Sequence, residues 1–169
     1  PSAAATAQRP IVLELVATRL SASLMAATLS YKLRVTNRSQ VPFDSLAVEG
    51  DMIAAHAALP PERQILQSGQ RLELRHALTQ LAPGQSTELQ GELRLPLSAI
   101  TPIRAGEAAL FIPLARFRLQ AGRAQGPAIE LRETFVVGEL PGVEGGALRP
   151  FRLDLGPRTY SRVGQRAVA

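Results

Sequence analysis

The sequence alternates strictly over Leu29-Ser30-Tyr31-Lys32-Leu33-Arg34-Val35-Thr36, and this stretch decides the fold. Every second side chain is apolar, so an extended backbone places the apolar residues on one face and the polar residues on the other. A polar turn, Asn37-Arg38-Ser39-Gln40, follows at once. The pattern is typical of an antiparallel strand that packs one face on a core.

A second segment repeats this arrangement further along the chain. The turn Leu81-Ala82-Pro83-Gly84-Gln85-Ser86 leads into alternation over 87–97. Other short apolar runs follow at spacings of roughly ten residues, which is typical of a β-sandwich. The predicted strands are 11–17, 28–36, 46–55, 71–78, 87–97, 110–120, 129–137 and 151–155, with Gly50 at a bulge or close approach and Pro113 at an edge or bulge. Short helical turns are predicted at Pro60–Leu66 and Leu97–Ile100.

Length and composition limit the domain organisation and the chemistry. A chain of 169 residues suffices for one domain with a core. We predict a linker over 1–10, a sandwich over 11–158 and a basic tail over 159–169. The absence of cysteine excludes disulfides, thiolate metal ligands and cysteine nucleophiles. No run approaches the roughly 20 apolar residues of a membrane span. Because the chain starts at Pro1, we expect a processed fragment, with room for an anchor outside it.

The chain carries a net charge of +5, from 19 Lys and Arg against 14 Asp and Glu. The arginines are spread from Arg9 to Arg166, whereas nucleic-acid binding needs clustered basic residues. Nucleic acid is therefore not an expected partner. Six arginines occupy outward strand positions and would form one stripe if their strands were neighbours: Arg34, Arg94, Arg116, Arg118, Arg132 and Arg152. Cross-strand pairing with Glu88, Glu92, Glu130 and Asp154 is the favoured explanation of these positions.

The two turn motifs carry a resemblance. The segments Val35-Thr36-Asn37-Arg38-Ser39 and Leu81-Ala82-Pro83-Gly84-Gln85-Ser86 resemble bacterial immunoglobulin-like domains of the adhesion-module type, with Ser39 at a position more often occupied by glycine. The rest of the chain is similar to uncharacterised alphaproteobacterial proteins, mainly of sphingomonad type, that carry one such domain beside a membrane anchor. That similarity lies in GDMIAAH (50–56), ALFIPLA (109–115) and GPRTY (156–160). It implies an antiparallel immunoglobulin-like β-sandwich, tethered to a membrane in the bacterial cell envelope, and no catalytic residue.

No group of residues in the sequence forms a recognisable reactive site. His56 and His76 are the two histidines, and they lack the spacing of metal ligands, with or without Glu49, Asp51 and Glu73. No Gly-x-Ser-x-Gly nucleophile motif is present. Asp44, Glu49 and Asp51 lack the dense acidic loop of a calcium site, and the other carboxylates alternate with core residues. We therefore predict no catalytic, cofactor-binding or metal-binding residue and no enzyme.

The nearly continuous apolar run over 110–114 is expected to be buried in the core, with a partner-binding edge as the alternative. With the outward arginines beyond it, the predicted partner surface is Phe111, Ile112, Leu114, Arg116, Arg118 and Arg132. We expect a non-enzymatic interaction or spacer domain of an envelope protein, extracytoplasmic and membrane-tethered, with a protein partner and no cofactor. The alternative is an accessory module that binds polyanions or carbohydrate through an arginine-rich sheet face.

Overall fold

The computed structural model describes residues 9–56, 64–67, 69–124 and 126–168. These residues form antiparallel strands and two short 3-10 turns, Leu97–Ala99 and Leu153–Leu155. The strands are β1 (Ile11–Ala22), β2 (Ala26–Asn37), β3 (Ser45–Ala54), β4 (Leu74–Leu78), β5 (Ser86–Pro96), β6 (Ile103–Ala105), β7 (Ala108–Phe111), β8 (Pro113–Gly122), β9 (Ile129–Glu139), β10 (Phe151–Arg152), β11 (Arg158–Tyr160) and β12 (Val163–Ala167).

The strands form three sheets. A four-stranded sheet has the order β11-β1-β2-β5, a five-stranded sheet has the order β12-β9-β8-β3-β4, and a three-stranded sheet has the order β10-β7-β6. The core lies between the two larger sheets, because each turns its alternating apolar residues toward the other. The prediction of an all-β antiparallel sandwich is confirmed, and so is the short helical turn after β5.

The alternating segment 29–36 lies in β2, and its apolar side chains form the centre of this core. Leu29, Leu33 and Val35 of β2 are fully buried, and Tyr31 is 2% exposed. The Tyr31 ring meets the ring of Phe117 on β8 edge to face, with centroids 5.3 Å apart. Such contacts join the two sheets, since one ring comes from each.

Gly50 allows β3 to lie close to β8. A Cβ atom at this position would sit 3.0 Å from the Phe117 ring. The pairing of β3 with β4 also shifts register between Val48 and Glu49. The prediction of a close approach or bulge at Gly50 is therefore confirmed.

The two turn motifs meet in space. Asn37 ends β2, and its buried side chain donates hydrogen bonds to the carbonyls of Val41 (2.9 Å) and Leu81 (3.1 Å). Its backbone carbonyl accepts from Gly84, and its backbone N–H donates to the carbonyl of Gln85. Asn37 therefore links the turn after β2 to the turn before β5 by hydrogen bonds.

Several predicted boundaries differ from the observed ones. The run over 110–120 forms two strands in different sheets, β7 and β8, so Pro113 is the first residue of an interior strand, where no ladder N–H is needed. The segment 151–155 pairs only at Phe151–Arg152 before turning into a 3-10 turn. The segment predicted as a basic tail supplies β11, which pairs with β1, and β12, which pairs with β9. Most of the linker over 1–10 and of the turn over 60–66 lies outside the described residues.

Candidate interaction surface

The six residues predicted to form a partner surface lie in two places. Phe111 on β7 is buried, with its ring centroid 6.5 Å from that of Phe151. Ile112 follows it, and its carbonyl accepts a hydrogen bond from the N–H of Ala55. The others share the outer face of the five-stranded sheet, on β8 and β9: Leu114, Arg116, Arg118 and Arg132. That face therefore carries the arginines together with one of the predicted apolar residues.

Arg116 is buried although it points away from the core. It is 7% exposed, and its guanidinium donates two hydrogen bonds to Asp51 of β3: Nε to Oδ1 (2.8 Å) and Nη2 to Oδ2 (2.6 Å). The strand register sets these residues directly opposite one another. A paired, forked geometry of this kind compensates for the loss of hydration of both charges.

Glu49 is the most buried charged residue in the described part of the chain, at 4% exposure. Its carboxylate accepts hydrogen bonds from the Leu72 N–H and from Arg71 Nε, both at 2.9 Å, and from Arg118 Nη1 at 3.3 Å. Burial alone would raise the pKa of Glu49. The Leu72 N–H and the two guanidiniums together lower that pKa below its ordinary value. Glu49 is thus held ionised.

Arg118 connects Glu49 to the edge of the sheet. Its Nε lies 3.3 Å from Oε1 of Glu130, without hydrogen-bond geometry. Arg132 Nε lies 3.6 Å from the same oxygen. The side chain of Arg132 is more exposed than those of Arg116 and Arg118, the other predicted arginines of this face. The outer-face ion cluster is defined here as Glu49, Asp51, Arg71, Arg116, Arg118, Glu130 and Arg132.

The six outward arginines do not lie on one sheet. Arg34 and Arg94 belong to the four-stranded sheet and Arg152 to the three-stranded sheet. Arg34 faces Glu88 in the register, and Arg152 Nε donates to Asp154 at 2.9 Å. Pairing with carboxylates, across strands or nearby in the chain, thus accounts for most of these arginines. The charge pattern favoured this pairing over a single arginine stripe.

A cavity of about 790 Å³ opens beside β9. Its walls come from the start of β1, from residues 130–135 of β9, from the end of β12 and from Ile65 and Leu66. A smaller cavity of about 150 Å³ adjoins it over the outer face and shares Ile65, Thr134 and Val168 with it. Thr134 lines both cavities and is 3% exposed, and its hydroxyl has no hydrogen-bond partner among the described residues.

The strand β9 borders the larger cavity, and its two neighbouring strands both pair with it only at Phe135 and Val136. β12 pairs with Phe135–Glu139, and the last backbone contact is the Val168 N–H donating to the Thr134 carbonyl at 2.9 Å. Over Ile129–Glu133, β9 pairs with β8 alone among the described residues. Half of its backbone hydrogen-bonding groups there face the cavity.

An ion pair marks the rim of the cavity. Arg9 Nη1 lies 2.6 Å from Oε1 of Glu133, joining the residues before β1 to β9 across the gap between the sheets. Sequence reasoning missed both residues, because Arg9 fell in the predicted linker. Glu133 carried a signal: it interrupts the apolar phase of Ile129, Leu131 and Phe135, and a charge at an inward position needs a partner.

A second polar contact joins the sheets at their other side. The Tyr31 hydroxyl lies 2.8 Å from Nε2 of His76 on β4. Burial raises the pKa of Tyr31, against an opposing effect of Arg75, while burial and then Arg75 lower the pKa of His76. Gly91 of β5 leaves room for this pair, since a Cβ there would lie 2.5 Å from the Tyr31 hydroxyl oxygen. His76 thus bridges the sheets at the rim of the core.

We expect His76 to make stability depend on pH. Its folded-state pKa is below the ordinary value of 6.5, so the unfolded chain binds the proton more readily. Its contribution is complete above pH 6.5 and is lost as the pH falls through that value. Urea unfolding of the wild type and of His76→Gln at pH 7.5 and pH 5 measures this effect: the loss on acidification should be smaller in the variant. Equal losses in both proteins would contradict it.

Within the described ranges, no three His, Cys, Asp or Glu side chains form a group that could hold a metal ion. Glu49 and Asp51, weighed as carboxylate ligands, are instead bound to arginines. In the same part of the chain, no helix has the length and apolar character that crossing a bilayer requires.

The comparisons with known proteins extend this description no further. No family model matches the chain, and no curated protein matches it either.

Proposed function

We propose that this domain is a non-enzymatic interaction module that binds an extended segment of a partner protein in the cavity beside β9. The observation that carries the proposal is the edge of β9 over Ile129–Glu133, which no described strand other than β8 pairs with and which borders a cavity large enough for several side chains. An extended peptide there would continue the line of β12 and pair with β9. Strand addition of this kind gives affinity through the main chain and selectivity through alternating side chains.

The walls of the cavity indicate the chemistry of that segment. Val12, Leu131 and Phe135 offer apolar surface, while Glu130 and Arg132 lie on the outward positions. A partner segment that alternates apolar and polar residues would pack its apolar side chains against Val12, Leu131 and Phe135. Because the rim carries both signs of charge, we expect a partner of mixed charge rather than a polyanion.

The proposal includes the setting implied by the resemblance: an immunoglobulin-like domain of a bacterial envelope protein, extracytoplasmic and tethered to the membrane. A spacer without a partner is the simplest competing role, since it requires no binding cavity. The cavity and the open strand edge favour the interaction module over the spacer.

Site-directed photo-cross-linking in the producing cells tests the proposal. A photoreactive amino acid at Arg132, beside the cavity, should give a discrete protein adduct. The matched control position is Val16, which is 50% exposed on β1 of the other sheet and should give none. The same adducts at both positions, or none at position 132, would favour the spacer.

A further inference from the structure

The strand β5 is a long strand at the end of its sheet, and no described strand pairs with its outer edge. It forms one end of the four-stranded sheet, and its pairing with β2 runs from Ser86 to Pro96 without a register shift. Its free edge makes no backbone hydrogen bond to the described residues. We propose that β5 pairs with β5 of a second copy of this chain, antiparallel and centred on Gly91.

The other sheet edges are protected in ways that β5 is not. Exposed edges are normally shortened, bulged or covered, because an open edge recruits other strands. β6, β10 and β11 have three residues or fewer, while β4 and β12 have five residues each, and β4 also has a register shift. β5 has eleven residues. Its length and regularity distinguish it from every other terminal strand in the described sheets.

Strand geometry allows only some alignments of two β5 strands. Backbone groups of alternate residues point to the free edge, and side chains alternate between faces. Two copies can therefore pair only residues of the same phase. The symmetric alignment centred on Gly91 meets this condition and pairs the whole of 86–96 with its copy, so the sheet would gain the largest number of hydrogen bonds.

The charges of β5 favour the same alignment. Its outward side chains are exposed and alternate in the order Glu88, Gln90, Glu92, Arg94. When the two strands are aligned on Gly91, Glu88 of each copy lies opposite Arg94 of the other, and Gln90 of each lies opposite Glu92 of the other. Neither Glu88 nor Arg94 lies within ion-pair distance of an opposite charge among the described residues, although Arg34 of β2 lies across from Glu88 in the register. Opposite charges directly across a strand pair stabilise it.

Neighbouring alignments are poorer. In an alignment centred on Gln90, Glu88 of each copy would lie opposite Glu92 of the other. In an alignment centred on Glu92, the two Glu92 side chains would lie opposite each other. Centred on Leu93, Glu92 would face Arg94, but only residues 90–96 would overlap. Charge and overlap together select the alignment on Gly91.

The inward face fits as well. In this alignment Leu89 of one copy lies opposite Leu93 of the other, and Thr87 lies opposite Leu95. Leu89 and Leu95 are half-buried in the single chain and would lose exposed apolar surface on pairing. The four strands of each copy would then form one continuous sheet across the two-fold axis.

Charge reversal tests the proposal directly. The full chain should be a dimer by sedimentation equilibrium, and Glu88→Arg or Arg94→Glu alone should raise the dimer dissociation constant about tenfold or more, since each places two like-charge pairs across the axis. An equimolar mixture of the two variants should form a heterodimer, because both cross-strand pairs become complementary again. Glu92→Arg is the matched control on the same face and should change dimerisation less than either variant.

A monomeric wild-type chain at high concentration would overturn the proposal. So would single variants that dimerise as the wild type does, a mixture that stays monomeric, or an equal effect of Glu92→Arg. The mixture guards against misreading a folding defect, because a misfolded variant could not regain pairing. Cross-linking at Arg132 reports on the opposite side of the molecule, so the two proposals fail independently.

Discussion

Replacing Glu49 by alanine is expected to lower the free energy of unfolding by about 3 to 5 kcal/mol, the range found when one partner of a buried ion pair is removed. The carboxylate is 4% exposed and holds Arg71, Arg118 and the Leu72 N–H. Without it, the buried Arg118 guanidinium retains only the poorly oriented contact with Glu130. Urea denaturation at pH 7 measures the change.

The control for this variant is Glu73→Ala, whose carboxylate is 74% exposed in its pair with Arg75. Removing an exposed pair should cost less than about 1 kcal/mol. The double variant Glu49→Met with Arg118→Met should lose less stability than the sum of the single variants, because it leaves no unpaired charge at this position. Strictly additive losses, or a Glu49→Ala loss as small as the control's, would contradict a buried ion cluster.

Replacing Asn37 by alanine is expected to lower the free energy of unfolding by about 2 to 4 kcal/mol, since it leaves buried polar groups without partners. The side chain donates to the carbonyls of Val41 and Leu81, and its Oδ1 accepts from the N–H of Ser39 at 2.9 Å. The bond to Leu81 ties the turn after β2 to the turn before β5, and the other two hold the turn after β2 together. The loss should therefore exceed that of an ordinary surface substitution.

The neighbouring Thr36→Ala is the control, because its hydroxyl bonds Ser86 at the surface. Asn37→Asp adds a sharper test. It keeps the acceptor for Ser39 but turns a donor into a charged acceptor facing two carbonyls, so its loss should be at least as large as that of Asn37→Ala. Thermal unfolding of the three variants would rule out the fastening role if Asn37→Asp proved as stable as the wild type.

Local patterns predicted the parts of the fold that local chemistry determines. The alternation over 28–36 indicated β2 to within two residues at its start and one at its end. The close approach at Gly50 followed from one glycine in an apolar phase. In both cases, a side chain's direction depends only on the extended backbone that carries it.

Parts that depend on distant pairing were not predictable. β12 has the sequence Val163-Gly164-Gln165-Arg166-Ala167, without clear alternation, and it is a strand because β9 offers an edge there. The outward direction of Arg116 was predicted from its phase, but its burial was not. Its partner there is the carboxylate of Asp51 on β3, which is far from Arg116 in sequence.

The candidate site was missed for the same reason. Among the described residues, β12 pairs with β9 only as far as Phe135, and this limit is a property of topology rather than of composition. The cavity brings together residues from β1, β9 and β12 that are far apart along the chain. Only the inward charge of Glu133 gave a local hint of it.

Backbone amide exchange, measured residue by residue by NMR on the isolated chain, tests the open edge of β9 most directly. At Phe135 and Val136, where β8 and β12 both pair with β9, both amides should be protected. Over Ile129–Glu133, alternate amides should exchange quickly, because only those that face β8 are bonded. Uniform protection across Ile129–Glu133 would mean that the edge is already covered, and would contradict a strand-pairing site beside the cavity.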